Sequence, residues 1–316
     1  MPSAAETLKG TDAFQDRMIG VVRSIQDEII GALETMEGEC GGNARFKSDV
    51  WERPDGGGGL TRVLSGGVFL EKAGVSVSAV HGELDTEFAA HLPGDGASFF
   101  ATGVSLVLHP YSPHVPTAHA NFRYIEQGGK AWIGGGGDLT PYYFHADDKE
   151  HFHGAWRELC ARHPDVADYE RFRDWCERYF HLGHRAEHRG VGGIFFDNLF
   201  VSEKDEAHRE KAVAFLSEGG RAFLEAYAPI ARRRLHEPVT PEQRDWQEIR
   251  RGRYVEFNLV HDRGTAFGLK TGGRTESILM SLPPRAKWVY DHEPEPGTPE
   301  AALLEELRRP VPEEES

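Results

Sequence analysis

The chain has 316 residues, with 36 Lys+Arg against 51 Asp+Glu, a formal charge of −15. At 39% hydrophobic and 28% charged residues it has enough apolar chain to bury a core and is not a disordered composition. The acidic balance argues against non-specific nucleic-acid binding, which needs a basic face to release counterions from phosphate, and no apolar run is long enough to span a membrane.

In chain order, residues 1–12 are expected to be frayed. Phe14, Met18, Val22, Ile25, Ile29, Leu33 and Met36 recur in steps of three and four, which predicts an amphipathic helix ending near Gly38. Short β-type runs follow at 45–52, 60–64, 68–72 and 75–81, punctuated by glycine clusters. Residues 98–109, 119–127 and 131–133 read as further strands. The pattern then turns helical over 147–163 and 165–188, broken at Pro164. Residues 192–201 (GGIFFDNLFV) read as an apolar strand and 204–235 as a helix. Thr240-Pro241-Glu242-Gln243 is a capping box with proline in the first helical position, so a helix starts there. Strands are expected at 254–260, 277–282 and 288–291, a last helix from Thr298-Pro299 to about Arg309, and a frayed tail at 310–316. Strands in a block followed by mixed elements, with no linker, predict one α+β domain over 1–316 with a mostly antiparallel sheet.

No G-x-G-x-x-G or Walker A pattern is present, so a nucleotide or flavin cofactor has no support. Cys40, Cys160 and Cys176 form no CxxC pair, and MPSAAETLKG lacks the features of a secretory leader, so a reducing, cytoplasmic setting is expected. Of the 36 cations 27 are Arg and 9 are Lys, a bias toward the planar fork that suits carboxylates. The 16 His point toward metal or proton chemistry. His119, Asn121 and Arg123 alternate along one strand, and period two puts them on one face as a proton carrier, an amide and a carboxylate fork. The run Gly134–Gly137 reads as a permissive turn, or as backbone that a large flat ligand can approach closely. Gly272-Gly273-Arg274 can present amides and a guanidinium to a carboxylate. His181, His184 and His188 fall on one stripe if 165–188 is helical; a solvated helix face accounts for them better than a ligand set.

The stretches HPYSPHVPTAHANFRY (109–124), WIGGGGDLTPYY (132–143), RAEHRGVGGIFFDNL (185–199) and RRGRYVEFNLVHDRGTAFGLKTGGRTESILMSLPP (250–284) together resemble the oxygen-dependent coproporphyrinogen III oxidase family over nearly the whole chain. The resemblance implies a large, flat, mostly antiparallel sheet covered by helices on both faces, working as a homodimer through residues 254–289. It implies oxidative decarboxylation of the ring A and B propionates of coproporphyrinogen III to vinyl groups. Dioxygen is then the acceptor and protoporphyrinogen IX and carbon dioxide the products. No organic cofactor is implied; a divalent metal is a further possibility raised by the family. Carried over by position, Ser105, Asn121, Arg123, Gly272, Gly273 and Arg274 match substrate contacts, His119 a proton donor, and Asp197 a catalytic carboxylate. His109, His119, His153 and His184 match proposed metal ligands. The chain reads FFDNL where the family has FFDDL, so Asn198 replaces a second acid. A His-ligated non-haem metal oxygenase or hydrolase, and a non-catalytic tetrapyrrole carrier, are the competing expectations.

Overall fold

The computed structural model describes residues 7–54, 56–84, 89, 92–201, 205–270 and 273–313. Helix α1 (Ala13–Glu39) opens on Asp12, whose carboxylate accepts from the amides of Phe14 and Gln15. Strands β1 (Lys47–Glu52), β2 (Gly57–Ser65), β3 (Leu70–Glu83), β4 (Ser98–Pro110), β5 (Thr117–Gln127) and β6 (Lys130–Thr140) follow. Next come α2 (Ala146–Arg162), α3 (Tyr169–Tyr179), a short hairpin of β7 (His181–Leu182) and β8 (Glu187–His188), and β9 (Gly193–Phe200). The chain continues through α4 (Glu206–Arg234), α5 (Pro241–Glu256), a π-helical turn (Phe257–His261), α6 (Arg263–Lys270), α7 (Thr275–Leu279) and α8 (Pro299–Leu307). The main sheet has seven strands in the order β1-β2-β3-β4-β5-β6-β9, every pair antiparallel. The fold is α+β, as the strand block predicts.

One face of the sheet is the core. Leu60, Val77, Val104 and Phe122 stand in one cross-strand row there, all buried with Met18, Val22, Ile25, Ile29, Leu33 and Met36 of α1. Each such side chain contributes about 1.5–3 kcal/mol by leaving water. Gly219 of α4 lies against the Phe122 ring and Gly220 against Ile25, so small residues let α4 approach both the sheet and α1. Gln26 of α1 donates to the carbonyls of Leu60 and Val75. The other face is roofed by the C-terminal segment: Met280 covers Gly74, Ser277 meets Thr61 at 2.8 Å and Lys72 donates to the Leu282 carbonyl at 2.7 Å. Helical segments therefore lie on both faces. No described helix is long and apolar enough to cross a membrane.

Several sequence expectations change. Residues 68–72 and 75–81 belong to one strand, because Gly74 stays in register opposite Val107. The Gly134–Gly137 run is strand, not turn. The helix expected to reach His188 stops at Tyr179, and a hairpin takes over, with Ala186 at φ 50° in its turn. The strands expected at 254–260 and 277–282 are helical, and 288–291 forms no strand. Thr7 and Leu8 are buried, so the segment just before α1 is packed; residues 1–6 and 314–316 lie outside the described residues.

Glu71 of β3 ties α5 to the sheet. It receives Arg251 at 2.7 Å, Arg285 at 2.7 Å and Arg244 at 3.1 Å. Burial alone would raise its pKa, but Arg251, Arg285 and Arg244 outweigh burial and hold it at about 2 against an ordinary 4.5. A depressed folded pKa gives stability that is present above the unfolded value and lost as pH falls toward 2. Glu71→Gln is expected to cost about 3 kcal/mol at neutral pH and to flatten the acid limb of the stability curve below pH 4.5. Urea unfolding at stepped pH checks this; an unchanged acid limb would refute it.

Candidate active site

The roofed face carries three parallel rows of side chains. The middle row runs Asp49, Thr61, Ser76, Ser105, Asn121, Gly136 and Phe195. Beside it run Trp51, Gly59, Ser78, Gly103, Arg123 and Gly134 on one flank, and Val63, Gly74, Val107, His119, Asp138 and Gly193 on the other. Small residues line this face: Ser76, Ser78, Gly103 and Ser105 are half-buried, while Gly59, Gly74, Gly134 and Gly136 are buried. Of the glycine run, Gly134 and Gly136 lie on this side, Gly134 beneath Asp197 and Arg123, whereas Gly135 and Gly137 lie against Phe196 and Trp156 of the core. Period two along β5 places His119, Asn121 and Arg123 on this face, as the sequence predicts, and Ser105 stands between Ser76 and Asn121.

His119 is the centre of the polar chemistry. Its Nδ1 lies 2.9 Å from Asp138 Oδ1. Burial pushes the Asp138 pKa up, but Arg189 and His119 outweigh burial, so the carboxyl is held below its ordinary value. An ionised Asp138 can only accept, so Nδ1 carries the proton and Nε2 is left for exchange. Among the described residues no hydrogen-bond partner holds Nε2. Arg189 donates to Asp138 at 2.6 and 3.2 Å and to Asn258 Oδ1 at 3.0 Å. Its guanidinium lies 4.1, 4.7 and 4.6 Å from the ring centroids of Phe180, Tyr254 and Phe257, a desolvated cation held by aromatic faces. Nearby, Asp262 accepts from Tyr179 at 2.8 Å and from the Thr265 amide and hydroxyl at 2.8 and 2.7 Å. Burial would raise Asp262; its bonds to Thr265 and Tyr179, with the His119 charge, hold it lower.

Sequence reasoning missed Arg189, Asn258 and Asp262. The signal for Arg189 was a lone cation beside the apolar, glycine-rich run 190–196; Asn258 carried none, because 254–260 was read as strand, and Asp262 lay just beyond that run with no pattern of its own.

Two arginines stand on this face. Arg123 donates to Asn121 Oδ1 at 2.9 Å and pairs with Asp197 at 2.8 Å. Arg274 pairs with Asp49 at 2.5 Å and reaches Ser277 at 3.4 Å. Strands β1 and β5 are four inter-strand spacings apart, about 19 Å. Gly272 lies outside the described residues. The Gly273 amide donates to the Gly268 carbonyl at 2.8 Å, so it closes α6 instead of facing a ligand.

The four histidines expected to share a metal do not fit one. His109 is buried with Nε2 on the Ser281 carbonyl at 2.8 Å and Nδ1 on Thr117 at 3.2 Å; burial and then Arg251 keep it neutral. His153 bonds the Val191 carbonyl and the Tyr169 hydroxyl, each at 2.9 Å. His184 bonds Glu256 at 2.8 Å and His261 at 2.9 Å. Both nitrogens of these three rings are already engaged, whereas a ligand needs a free lone pair aimed at a common point. Among the described residues no group of three or more His, Cys, Asp or Glu is placed to hold a metal ion.

The sheet face thus carries an ordered imidazole–carboxylate pair, His119–Asp138, on β5 and β6, with Arg123 on β5 and Arg274 paired to Asp49 on β1, the polar chemistry of an enzyme site. The family model for coproporphyrinogen III oxidase matches residues 17–312, and the chain belongs to that family of oxidoreductases of haem and porphyrin biosynthesis.

Proposed function

We propose that the chain catalyses oxygen-dependent oxidative decarboxylation of the ring A and B propionates of coproporphyrinogen III. The observation that carries this reading is His119, Asn121 and Arg123 side by side along β5 on one face of the sheet. A reduced tetrapyrrole lies over the small residues Ser76, Ser78, Gly103 and Ser105, with Arg123 and Arg274 reaching its propionates. Guanidinium forks hold carboxylates in plane. Each propionate loses carbon dioxide, one proton and two electrons as the vinyl group forms; dioxygen takes the electrons. The porphyrinogen supplies the electrons itself, so no organic cofactor is called on. His119 Nε2 moves the proton, with Asp138 and Arg189 fixing its tautomer. The protein contributes position and proton transfer.

Two further features fit this reading. Leu259, Val260 and Trp288 are exposed by 52%, 69% and 54%, and exposed apolar side chains within 254–289 suit burial against a second copy; light scattering of the purified chain tests the dimer. Cys40, Cys160 and Cys176 are all free thiols, in keeping with a reducing cytoplasm.

The deciding experiment mixes protein and coproporphyrinogen III without oxygen, then admits oxygen. The divinyl product and stoichiometric carbon dioxide are expected only after admission. Product formed without oxygen removes the oxygen-dependent reading, and tight binding with no product leaves a carrier.

A further inference from the structure

We infer that Gly134 and a bulge at Asp197–Asn198 form a device that lets Asp197 reach across strand β6 and hold Arg123 in its binding orientation. Asp197 is then a positioning residue for the arginine and not the catalytic carboxylate that the resemblance implies. This rests on the reading that Arg123 binds a substrate carboxylate.

Three independent observations support it. Arg123 is on β5 and Asp197 on β9, with β6 between them, so their backbones are two strand spacings apart, about 10 Å. Their side chains nonetheless meet at 2.8 Å, directly above Gly134. A Cβ at Gly134 would fall 2.5 Å from Asp197 Oδ1, 2.9 Å from Arg123 Nε and 3.0 Å from Nη2. The Gly134 backbone is not in the left-handed region, so the chain itself would accept alanine there. The ion pair is what demands glycine.

The second observation is the pairing of β6 with β9. Ile133 faces Leu199 and Gly135 faces Phe196, which leaves Gly134 opposite two residues, Asp197 and Asn198. An extra residue of this kind re-aims its neighbour's side chain. The third is Asn198 itself. It sits at φ 53°, where asparagine and aspartate are tolerated better than other side chains. Its amide donates to Asp197 Oδ1 at 3.0 Å, which fixes the carboxylate with Oδ2 toward Arg123. Asn198 is exposed, and its task is a backbone conformation. The departure from FFDDL to FFDNL therefore removes no acid that the site uses. With Asn121 and Asp197 occupying part of the guanidinium, the remaining N–H donors of Arg123 are held ready for a propionate.

Steady-state kinetics with coproporphyrinogen III and binding of oxidised, unreactive coproporphyrin III by fluorescence test the device together. Gly134→Ala is expected to raise KM and the porphyrin Kd about tenfold while kcat changes less than about threefold. In an Asp197→Ala background, where the pair is already gone, adding Gly134→Ala is expected to change either constant by less than about twofold. Wild-type KM in Gly134→Ala overturns the inference, and so does a full penalty multiplied onto Asp197→Ala, since the new methyl group would then be blocking the face. If Gly134→Ala does not fold, Asn198→Val and Asn198→Gly decide. Valine resists a positive φ and should raise KM; glycine accepts it and should not; equal behaviour overturns the device. Failure of the wild-type chain to bind coproporphyrin III would instead remove the proposed function beneath it.

Discussion

Arg189→Ala is expected to lower the stability of the protein by about 3–5 kcal/mol and to leave no measurable turnover. Arg189 and Asp138 form an ion pair whose side chains are each 2% exposed. Removing the cation strands a carboxylate where water cannot reach it, and that desolvation cost, rather than the loss of one favourable contact, sets the magnitude. The aromatic cage of Phe180, Tyr254 and Phe257 also loses the group it encloses. A paired replacement separates stability from chemistry. Arg189→Met with Asp138→Asn removes both charges and is expected to recover at least about half of the lost stability. It should not recover turnover, because His119 then lacks the anion that fixes its tautomer. The pH dependence has a defined sign. The Asp138 carboxyl is held below its ordinary 3.8, so the pair stabilises the fold above that value and its contribution is lost as pH falls through the folded value. The gap between wild type and Arg189→Ala should therefore close in acid. Urea melts at neutral and acidic pH measure it; equal stability of the two proteins at neutral pH would refute the buried-pair account.

Arg189 also shows where reading the sequence stops. Period two along β5 was enough to set His119, Asn121 and Arg123 on one face, because a strand of that length with buried alternates has one register. The steps of three and four in α1 were equally readable. The residues from Tyr254 to Val260 were not. Their aromatic and β-branched character favours strand, and β propensity yields readily to context. In the fold Tyr254, Phe257 and Asn258 are buried while Leu259 and Val260 are exposed, a helical phase set by packing against Arg189 and Phe180. The glycine run of β6 misled for the opposite reason. Glycine weakens a strand in isolation, yet here β5 and β9 supply the ladder on both sides, and the missing side chain at Gly134 is what the Arg123–Asp197 pair requires. The histidines were legible as residues and not as a site: a metal centre depends on where ring nitrogens point, and His109, His153 and His184 each point at partners on a different element.

His119→Gln is expected to cut kcat by about 10²–10⁴-fold while leaving KM within about threefold of wild type. Glutamine can still donate an N–H to Asp138, so the carboxylate keeps a partner and the face keeps its shape; what it cannot do is take up and release a proton at the position of Nε2. The Arg123–Asp197 device and the imidazole therefore fail in different constants: a misaimed guanidinium weakens the hold on carboxylate, whereas a missing proton carrier slows the step after binding. Imidazole added to His119→Ala should restore part of the rate, and divalent metal added to either variant should not. Recovery with metal would make His119 a ligand through its free Nε2 and overturn the proton-transfer role. A rise in KM matching the fall in kcat would place its role in binding, and the division of labour along β5 would have to be redrawn.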